Sequence, residues 1–251
     1  MLTYERQQSI FEYIKRHHSA SVAELSEVFF FSQTTIRRDL EKLERAGRIR
    51  KTYGGAVMIR GDNEVIALEA RSKLEKEAKS IIAKKAVSII RENDVVFMDS
   101  SSTVLAMVPH LAHMAHVTVI TNGLKLASEL SRFPNISIYI LGGQITSHTH
   151  SMHGLFAYRM LEEMHANIFF VSPKAVDRNG NIYCADADET QIRRLMMRES
   201  EKTVMMCNLN KLSQYASFRL CGLCDIDIMI CETDPATEYI KQLHDSGVIL
   251  M

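Results

Sequence analysis

The segment SVAELSEVFFFSQTTIRRDLEKLERAGRIRKTYGGA, residues 21–56, decides how the start of this 251-residue chain folds. Ser21 and Glu24 stand three residues apart ahead of apolar positions, which is the pattern of a capping box at a helix N-terminus. Ser32 is the next residue that suits an N-cap, and Gly47 suits a helix end. The pattern predicts two helices with a short turn between them, followed by a two-stranded wing around a Gly-Gly pair.

The second predicted helix has two chemically different faces. Ile36, Leu40 and Leu43 recur at helical spacing and form its buried face, and residues 3–16 supply a further helix for the same small core. A solvated basic helix is the alternative interpretation of the polar face. Short polar groups at a helix start suit base edges in the major groove, and the cations behind them suit phosphates. The residues predicted to contact DNA are Ser32, Gln33, Thr34, Thr35, Arg37, Arg38 and Lys42 on the helix, and Arg50, Lys51, Tyr53, Gly54 and Gly55 in the wing.

Composition restricts the class of protein. Hydrophobic residues make up 46% of the chain and charged residues 24%, which is typical of a soluble globular protein. The sequence has no apolar run of membrane-spanning length, and its first residues lack the apolar core of a signal peptide, so we expect a cytoplasmic protein. The formal net charge is zero, but residues 1–60 contain eleven Lys/Arg and seven Asp/Glu. A basic head on an acidic body fits one end that binds phosphate.

The motif combination resembles a known family. Residues 32–40 (SQTTIRRDL), residues 43–47 (LERAG) and residues 53–56 (YGGA) closely resemble the DeoR family of bacterial transcription regulators. One departure is Phe31, where the family usually has valine; it remains apolar, so we expect altered packing and intact binding. The resemblance implies a winged helix-turn-helix domain over residues 1–60 that binds operator DNA.

The rest of the chain predicts a second domain of a different class. Residues 61–70 have the character of a linker, and a helix is predicted from about Ser72 to Arg91. Beyond it, short runs that are apolar on both faces alternate with helical segments; the runs are residues 95–98, 117–120, 136–140, 168–171, 204–206 and 226–230. Such alternation predicts an α/β domain, residues 71–251, with a mostly parallel sheet covered on both faces.

Small polar loops follow the first three predicted strands. Because open α/β sheets bind ligands at the carboxyl ends of their strands, these loops are the candidate ligand site. The first is rich in hydroxyls and leads into a helix, as a phosphate-binding loop does, although a plain serine-rich helix cap has the same pattern. The predicted effector-binding residues in these loops are Asp99, Ser100, Ser101, Ser102 and Thr103, then Thr121 and Asn122, then Gly142 and Gly143.

The family resemblance extends through this second domain. The Asp99–Thr103 loop stands where the family has an Asp-Ser-Gly-Thr-Thr type loop, and Thr121-Asn122, Leu141–Gly143 and Gly154 also match, as do Arg71 and Lys79 ahead of the first strand. Such domains are similar in fold to ribose-5-phosphate isomerase, and family members typically sense phosphorylated sugars. The resemblance therefore implies a repressor of a sugar-metabolism operon whose operator affinity changes when a sugar phosphate binds, without any cofactor or metal.

The sequence also departs from the family at the expected ligand site. The segment after the fourth strand reads Ser172-Pro-Lys-Ala-Val-Asp177, which keeps Asp177 and introduces Lys174. After the fifth strand Lys211 is kept, while Asn208 replaces an acidic residue, and Ser101 replaces the central glycine of the first loop. Lys174, Asp177 and Lys211 complete the predicted effector site. These changes make the site more positive and leave the identity of the effector open.

Other functions remain as alternatives. A sugar-phosphate isomerase fused to a DNA-binding head needs a positioned general base, for which Asp177 is the one carboxylate in the corresponding segment, so we predict that the chain is not an enzyme. A thiol- or metal-responsive regulator would use Cys221 and Cys224, or His148, His150 and His153. The five cysteines are odd in number and irregularly spaced, which indicates reduced thiols. Because one winged module makes few base contacts, we expect a homodimer or a higher even oligomer.

Overall fold

The computed structural model describes residues 3–17, 19–46, 48–52, 54–58, 68–147 and 149–251. The chain divides into two compact units, Met1–Ala70 and Arg71–Met251. The N-terminal unit has one hydrophobic core, and the C-terminal unit has two. Within the described residues, no helix is long and apolar enough to cross a membrane.

The N-terminal unit is a winged helix-turn-helix, as predicted. Its strands form one antiparallel sheet in the order β1-β3-β2. Its described elements are α1 (Thr3–His17), β1 (Ser19–Ser21), α2 (Val22–Phe29), α3 (Gln33–Arg45), β2 (Ile49–Thr52) and β3 (Gly55–Met58).

Capping side chains set where the two central helices begin. The Ser21 hydroxyl accepts a hydrogen bond from the Glu24 N–H at 3.1 Å, and the Glu24 carboxylate accepts one from the Ser21 N–H at 3.3 Å. This is the predicted capping box of α2. At the start of α3, the Ser32 hydroxyl accepts a hydrogen bond from the Thr35 N–H at 3.2 Å. Each helix therefore begins where a side chain satisfies an amide that the helix itself leaves unpaired.

A buried carboxylate joins the first and third helices. Asp39 lies on the buried face of α3 with Ile36, Leu40 and Leu43, and its side chain is 2% exposed. Arg6 Nε donates to its Oδ2 at 2.5 Å, and Gln7 Nε2 donates to its Oδ1 at 2.8 Å. The ion pair thus holds α1 against α3, while the opposite face of α3 stays exposed to solvent.

The C-terminal unit is an α/β structure built on a seven-stranded sheet. The strand order is β15-β14-β12-β9-β4-β5-β6, and every neighbouring pair is parallel. An antiparallel sheet (β10-β11-β13) and a hairpin (β7-β8) accompany it. The elements from residue 68 onward are α4 (Leu68–Lys73), α5 (Lys76–Val87), β4 (Val95–Met98), α6 (Ser102–Leu105), α7 (Val108–Leu111), β5 (Val117–Thr121), α8 (Leu124–Leu130), β6 (Ile136–Ile140), β7 (Gln144–Thr146), β8 (Ser151–His153), α9 (Leu155–Glu162), β9 (Ala166–Val171), β10 (Ala175–Val176), β11 (Asn181–Cys184), α10 (Ala187–Arg198), β12 (Ser200–Met206), β13 (Phe218–Gly222), β14 (Ile228–Ile230), α11 (Thr237–Asp245) and β15 (Ile249–Leu250).

Both faces of the large sheet are buried at its central strands. On β4, Val96 and Met98 belong to one hydrophobic core together with residues of α5, α7 and α8. Phe97, between them, belongs to the other core with residues of α9, α10 and α11. Successive side chains of a strand point to opposite faces, so a strand covered on both sides is apolar throughout. The predicted parallel α/β architecture is confirmed.

The order of the strands places a crevice at the centre of the sheet. The chain passes from β4 to β5 and β6 on one side, then crosses over to β9, β12, β14 and β15 on the other. The direction of winding therefore changes between β4 and β9. In open α/β sheets, ligands bind outside the carboxyl ends of the strands at such a switch point.

The entry into this unit differs from the prediction. Residues 61–67 of the predicted linker lie outside the described residues, and from Leu68 the chain is helical. The single helix predicted from Ser72 to Arg91 is instead two helices, α4 and α5, separated by a turn at Glu75 with φ 52°. The ammonium of Lys79 donates to the carbonyls of Arg71 and Leu74 (2.8 Å for Leu74). These carbonyls at the end of α4 are thus satisfied by a side chain rather than by a continuing helix.

We predict that Asp39→Ala lowers the free energy of unfolding of the N-terminal unit by about 2–3 kcal/mol, because Arg6 then loses the partner of a buried ion pair. Urea denaturation of the full chain measures the change. The matched control is Glu41→Ala on the same helix, which removes an exposed carboxylate and is expected to change stability by less than about 0.5 kcal/mol. Equal effects of the two substitutions would show that Asp39 does not hold the helices together.

Candidate functional site

The exposed face of α3 carries most of the predicted DNA-contacting residues. The side chains of Gln33, Thr34, Arg37, Arg38 and Lys42 are exposed to solvent. Ile36, Asp39 and Leu40 alternate with them and are buried. The helix therefore presents short polar groups near its N-terminus and cations farther along, with the apolar residues turned into the core.

Two predicted contact residues have a structural role at the helix start. The hydroxyls of Ser32 and Thr35 are 2.9 Å apart and share a hydrogen bond, and the Ser32 hydroxyl also caps the helix. These contacts fix the orientation of the first turn of α3. A DNA contact from either hydroxyl stays a prediction.

The wing residues differ in what they contact. Lys51 Nζ lies 3.3 Å from Glu41 Oε1, and the Lys51 N–H donates to Glu44 Oε1 at 2.8 Å, so the wing is fastened to α3. A Cβ atom on Gly55 would lie 2.2 Å from the carbonyl oxygen of Ala20, so only glycine fits where β3 passes β1. Gly54 is exposed, and its carbonyl accepts a hydrogen bond from Val22. Tyr53 and the side chain of Arg50 lie outside the described residues.

In the C-terminal unit, Asp99 is the centre of the candidate ligand site. It follows β4 and is 1% exposed. Its carboxylate accepts hydrogen bonds from the N–H groups of Ser101 at 2.8 Å and Ser172 at 3.1 Å, and it pairs with Arg193 Nη2 at 2.9 Å. One side chain thus connects the loops after β4 and β9 to helix α10, at the switch point of the sheet.

Arg193 is a residue of this site that the sequence analysis missed. Its guanidinium is buried and contacts Asp99, Glu189 (Nη1 to Oε2, 3.5 Å) and the thiol of Cys184 (3.1 Å). Burial alone would lower the pKa of Arg193, but Asp99, Cys184 and Glu189 together outweigh burial and raise the pKa. The one local signal was the spacing of Glu189 and Arg193 by four residues on a helix, which also occurs on solvated helices.

The hydroxyl-rich loop after β4 is buried and largely ordered by its own contacts. Ser100, Ser101, Ser102 and Thr103 are all at most 7% exposed. The Ser101 hydroxyl accepts a hydrogen bond from the Val104 N–H at 3.2 Å and thereby caps α6. The serine in place of the family's central glycine therefore serves as a helix cap.

The loops after the next two strands lie at the same edge. The Thr121 hydroxyl accepts a hydrogen bond from the Gly123 N–H at 2.9 Å, and Asn122 Nδ2 donates to the carbonyl of Met152 at 3.3 Å. Gly142 and Gly143 are exposed. Gly143 has φ 151°, and a Cβ atom there would lie 2.3 Å from the carbonyl oxygen of His153. That glycine is required by the close approach of the hairpin.

Two lysines at this edge have lowered pKa values. Lys211 Nζ donates to the Ser172 hydroxyl at 2.7 Å, and that hydroxyl donates to the carbonyl of Met206 at 2.5 Å. Burial, together with the charges of Arg71 and Arg193, lowers the pKa of Lys211 to about 8, although Cys207 and Asp99 oppose this shift. Burial and the neighbouring Lys211 likewise lower the pKa of Lys79 to about 8. The cations are therefore close enough to act on one another's protonation.

Two buried guanidinium nitrogens of Arg71 have no partner among the described residues. Its Nε and Nη2 atoms are inaccessible to solvent and make no hydrogen bond to any residue that the structure describes. Burial lowers the pKa of Arg71; the charges of Glu189 and Asp99 raise it, whereas Arg193 lowers it. Buried N–H groups without a partner are costly, so these two groups of Arg71 favour an anion that the described residues do not supply.

Two amide groups at the same edge of the sheet are also unsatisfied within the described part of the chain. Asn122 Oδ1, after β5, and Asn208 Nδ2, after β12, are buried and have no hydrogen-bond partner within the described part of the chain. Asn208 Oδ1 lies 3.5 Å from the Thr103 hydroxyl. One buried acceptor and one buried donor are thus free at the ends of two strands of the same sheet. Asn208 was noted from the sequence only as a departure from the family.

Lys174 and Asp177 are the two remaining predicted effector residues, and they differ in exposure. Lys174 is exposed. Asp177 is buried, and its carboxylate accepts hydrogen bonds from Asn179 N, Asn181 N, Asn181 Nδ2 and the Tyr183 hydroxyl, at 2.8–2.9 Å. Burial would raise the pKa of Asp177, but these bonds outweigh it and lower the pKa. Asp177 is thus committed to the turn between β10 and β11.

The histidine and cysteine groups are described in part. His153 Nδ1 lies 3.3 Å from Asp188 Oδ2, and His148 lies outside the described residues. No group of three or more potential metal ligands occurs in the part of the chain that the structure describes. Cys224 is exposed, and burial raises the pKa of Cys221 to about 12. A thiol with so high a pKa carries little thiolate at neutral pH and reacts slowly.

Both units match family models. Residues 6–61 match the DeoR-like helix-turn-helix domain, and residues 74–233 match the DeoR C terminal sensor domain.

Similar proteins cover nearly the whole chain. The HTH-type transcriptional regulator GolR of Listeria innocua is 30% identical over 99% of this chain and 98% of that protein. The HTH-type transcriptional repressor GlcR of Bacillus subtilis is 28% identical over 100% of this chain and 96% of that protein. Among solved structures, ribose 5-phosphate isomerase A from Neisseria gonorrhoeae has a TM-score of 0.40 and 16% identity over 57% of this chain and 54% of that chain. The last likeness concerns the fold alone.

The two buried arginines are predicted to have different effects on stability. Arg193→Met is expected to lower the free energy of unfolding of the C-terminal unit by about 3–5 kcal/mol, because Asp99 is then a buried carboxylate without its cation. Arg71→Met removes a guanidinium whose Nε and Nη2 have no partner, so it is expected to change stability by less than about 1 kcal/mol or to raise it. Urea denaturation without added ligand compares them. An equal loss in both variants would contradict the assignment of Arg71 as unpaired.

Proposed function

We propose that a phosphorylated sugar bound at the switch point of the C-terminal sheet alters the operator affinity of this chain. The chain belongs to the DeoR family of transcription regulators. The observation that carries this proposal is that the buried Nε and Nη2 of Arg71 have no partner in the part of the chain that the structure describes. The chain is a DNA-binding regulator, and we infer repression as its mode of action because the similar GlcR is a repressor.

The N-terminal unit supports operator binding through α3. Its exposed N-terminal turn carries Gln33 and Thr34, whose amide and hydroxyl groups suit base edges. Arg37, Arg38 and Lys42 lie farther along the exposed side and suit phosphates. A helix that enters the major groove by its N-terminal end would use these groups in that order.

The charges of the ligand site favour an anion. The cations are Arg71, Lys79, Arg193 and Lys211, and the carboxylates that act on them are Asp99, Glu189 and, on Lys79, Glu75. With all of these groups ionised, the set has one more positive than negative charge, which favours an anionic ligand. Arg193 is already paired, so the free N–H groups of Arg71 are those left for the ligand.

The uncharged groups favour a ligand that also bears hydroxyls. Asn122 Oδ1 is a free acceptor, and Asn208 Nδ2 is a free donor. A sugar hydroxyl both donates and accepts hydrogen bonds, whereas a bare inorganic ion such as sulfate only accepts them. A sugar phosphate carries groups complementary to the guanidinium and to either amide, which an inorganic anion does not.

The same contacts argue for a sensor rather than an isomerase. Isomerisation needs a carboxylate free to take a proton from the substrate. Asp99 and Glu189 pair with Arg193, and the Asp177 carboxylate accepts four hydrogen bonds. We propose that binding of the ligand changes the DNA affinity of the chain without chemical conversion. A coupled assay with ribose 5-phosphate that detects turnover would refute this.

We further propose that the regulator acts as a homodimer or a larger even oligomer. One winged unit offers one recognition helix, and specific operators are usually bound by two such helices one turn of DNA apart. A mass measurement of the operator complex tests the number of copies.

The DNA prediction concerns two classes of substitution on α3. Arg37→Ala or Arg38→Ala is expected to weaken binding to all duplexes and to reduce the salt dependence by about one counterion, because a phosphate contact is lost. Thr34→Ala is expected to reduce discrimination between selected and random duplex by about fivefold to a hundredfold, because a base contact is lost. Fluorescence anisotropy with a duplex that the full chain selects from a random library measures both. Lys84→Ala, an exposed cation on α5, is the control. Unchanged affinity in the Arg37/Arg38 double variant would rule out α3 as the DNA-binding helix.

The effector prediction depends on Arg71. A panel of pentose and hexose phosphates is expected to include one that raises the melting temperature by about 5 °C at about 100 times its Kd. Arg71→Gln is expected to abolish that shift, whereas Lys84→Gln should leave it unchanged. A ligand that stabilises both variants equally would place the anion site elsewhere.

The affinity for that ligand is also expected to depend on pH. Lys79 and Lys211 have pKa values lowered to about 8, so both are charged near pH 7 and neutral near pH 9.5. The sugar phosphate remains a dianion over this interval, so its affinity is expected to fall by at least about tenfold as the pH rises. Calorimetric titration at pH 7.0 and pH 9.5 measures the change. An affinity that is constant or rises with pH would exclude the two ammonium groups from the site.

A further inference from the structure

The turn between α2 and α3 contains an aromatic ring that the protein core does not use. Phe30 is 91% exposed, more than any other large hydrophobic side chain in the described residues. It is the C-cap of α2 and stands two residues before Ser32, the N-cap of α3. The ring is therefore close in sequence to the first turn of the DNA-binding helix.

The backbone of Phe30 has a conformation that disfavours a bulky side chain. Its φ is 55° and its ψ is 39°, in the left-handed region that glycine and asparagine adopt most readily. A glycine would relieve both this backbone strain and the exposure of an apolar ring to water. Folding of the unit therefore gives no reason for phenylalanine at this position.

The residues on each side of Phe30 hold the turn in place. The Phe29 ring packs edge-on against Tyr13, with centroids 5.8 Å apart, and Arg6 lies over the Phe31 ring at 4.7 Å. The Phe31 carbonyl also accepts a hydrogen bond from the Ser26 hydroxyl at 2.5 Å. The flanking aromatic rings thus face the protein, and the Phe30 ring is left on the solvent side of a fixed turn.

We propose that the Phe30 ring contacts apolar groups of the operator at the edge of the major groove. These groups are the 5-methyl of a thymine or the carbon face of a deoxyribose. A recognition helix enters the groove by its N-terminal end, which brings the preceding turn against the rim of the groove. Phenylalanine is one of the side chains that contact thymine methyl groups. This inference rests on α3 as the DNA-binding helix.

A set of three substitutions separates DNA contact from stability. Phe30→Gly and Phe30→Asn both suit the left-handed backbone but remove the ring, whereas Phe30→Leu keeps an apolar side chain and the strained conformation. We expect Gly and Asn to raise the melting temperature by about 3 °C and to weaken binding to the selected duplex by about tenfold. Phe30→Leu is expected to keep most of the affinity without the gain in melting temperature. Stability and affinity then change in opposite directions, which a purely structural role does not produce.

Replacement of thymine by deoxyuridine distinguishes the two DNA groups. If the ring contacts a thymine methyl, one such replacement in each half-site weakens the wild-type chain and has no further effect on Phe30→Gly. If the ring contacts deoxyribose, no single thymine replacement weakens the wild-type chain while leaving Phe30→Gly unaffected. Phe30→Gly then loses affinity for selected and random duplexes alike. Either pattern supports the inference.

The inference is overturned if Phe30→Gly binds the selected duplex as tightly as the wild-type chain does. It is also overturned if that variant changes the mass of the free protein in light scattering with no effect on DNA, since the ring would then contact a second copy. A wild-type chain that fails to select any duplex refutes the DNA-binding role of α3 itself, so the two failures are distinguishable.

Discussion

The buried ion pair between Asp99 and Arg193 is the contact on which the ligand-binding unit depends. Asp99 follows the strand at the switch point, and its carboxylate also accepts hydrogen bonds from the loops after β4 and β9. Two charges removed from water remain stable only if each is paired and hydrogen-bonded, which holds for Asp99 on every side. The pair thereby fixes the distance between two strand ends and a helix, and it shapes the crevice between them before any ligand is bound.

The Asp99–Arg193 ion pair also acts on the neighbouring Arg71. Arg71 and Arg193 lie near the same two carboxylates, and both carboxylates contact Arg193. Arg193 is thus paired for folding, while Nε and Nη2 of Arg71 have no partner among the described residues. Arg71 is also the first residue of the C-terminal unit, within helix α4. An anion bound by Arg71 would act directly on the segment that follows the connection to the DNA-binding unit.

The N-terminal unit separates folding from recognition on one short helix. Asp39 and three apolar residues tie the inner face of α3 to the core, while the polar residues predicted to contact DNA stay exposed on its outer face. Phe30 is unfavourable for folding, because its large ring occupies a left-handed turn and is almost fully exposed to water. Strain of this kind persists where a function other than folding maintains it.

The sequence by itself determined the local structure and the fold class. Capping residues such as Ser21 and Ser32 act on amides three positions away, and helical or strand periodicity depends only on near neighbours, so these features could be predicted. The positions of the loops at one sheet edge followed from parallel strands. Only the tertiary structure decided which polar groups are satisfied. Arg193 pairs with Asp99, 94 positions away in sequence, and Asp177 is hydrogen-bonded within its own turn. Two nitrogens of Arg71 have no partner in the described ranges of the chain. Pairing of buried charges depends on packing between residues that are distant in sequence, so no local sequence pattern predicts it.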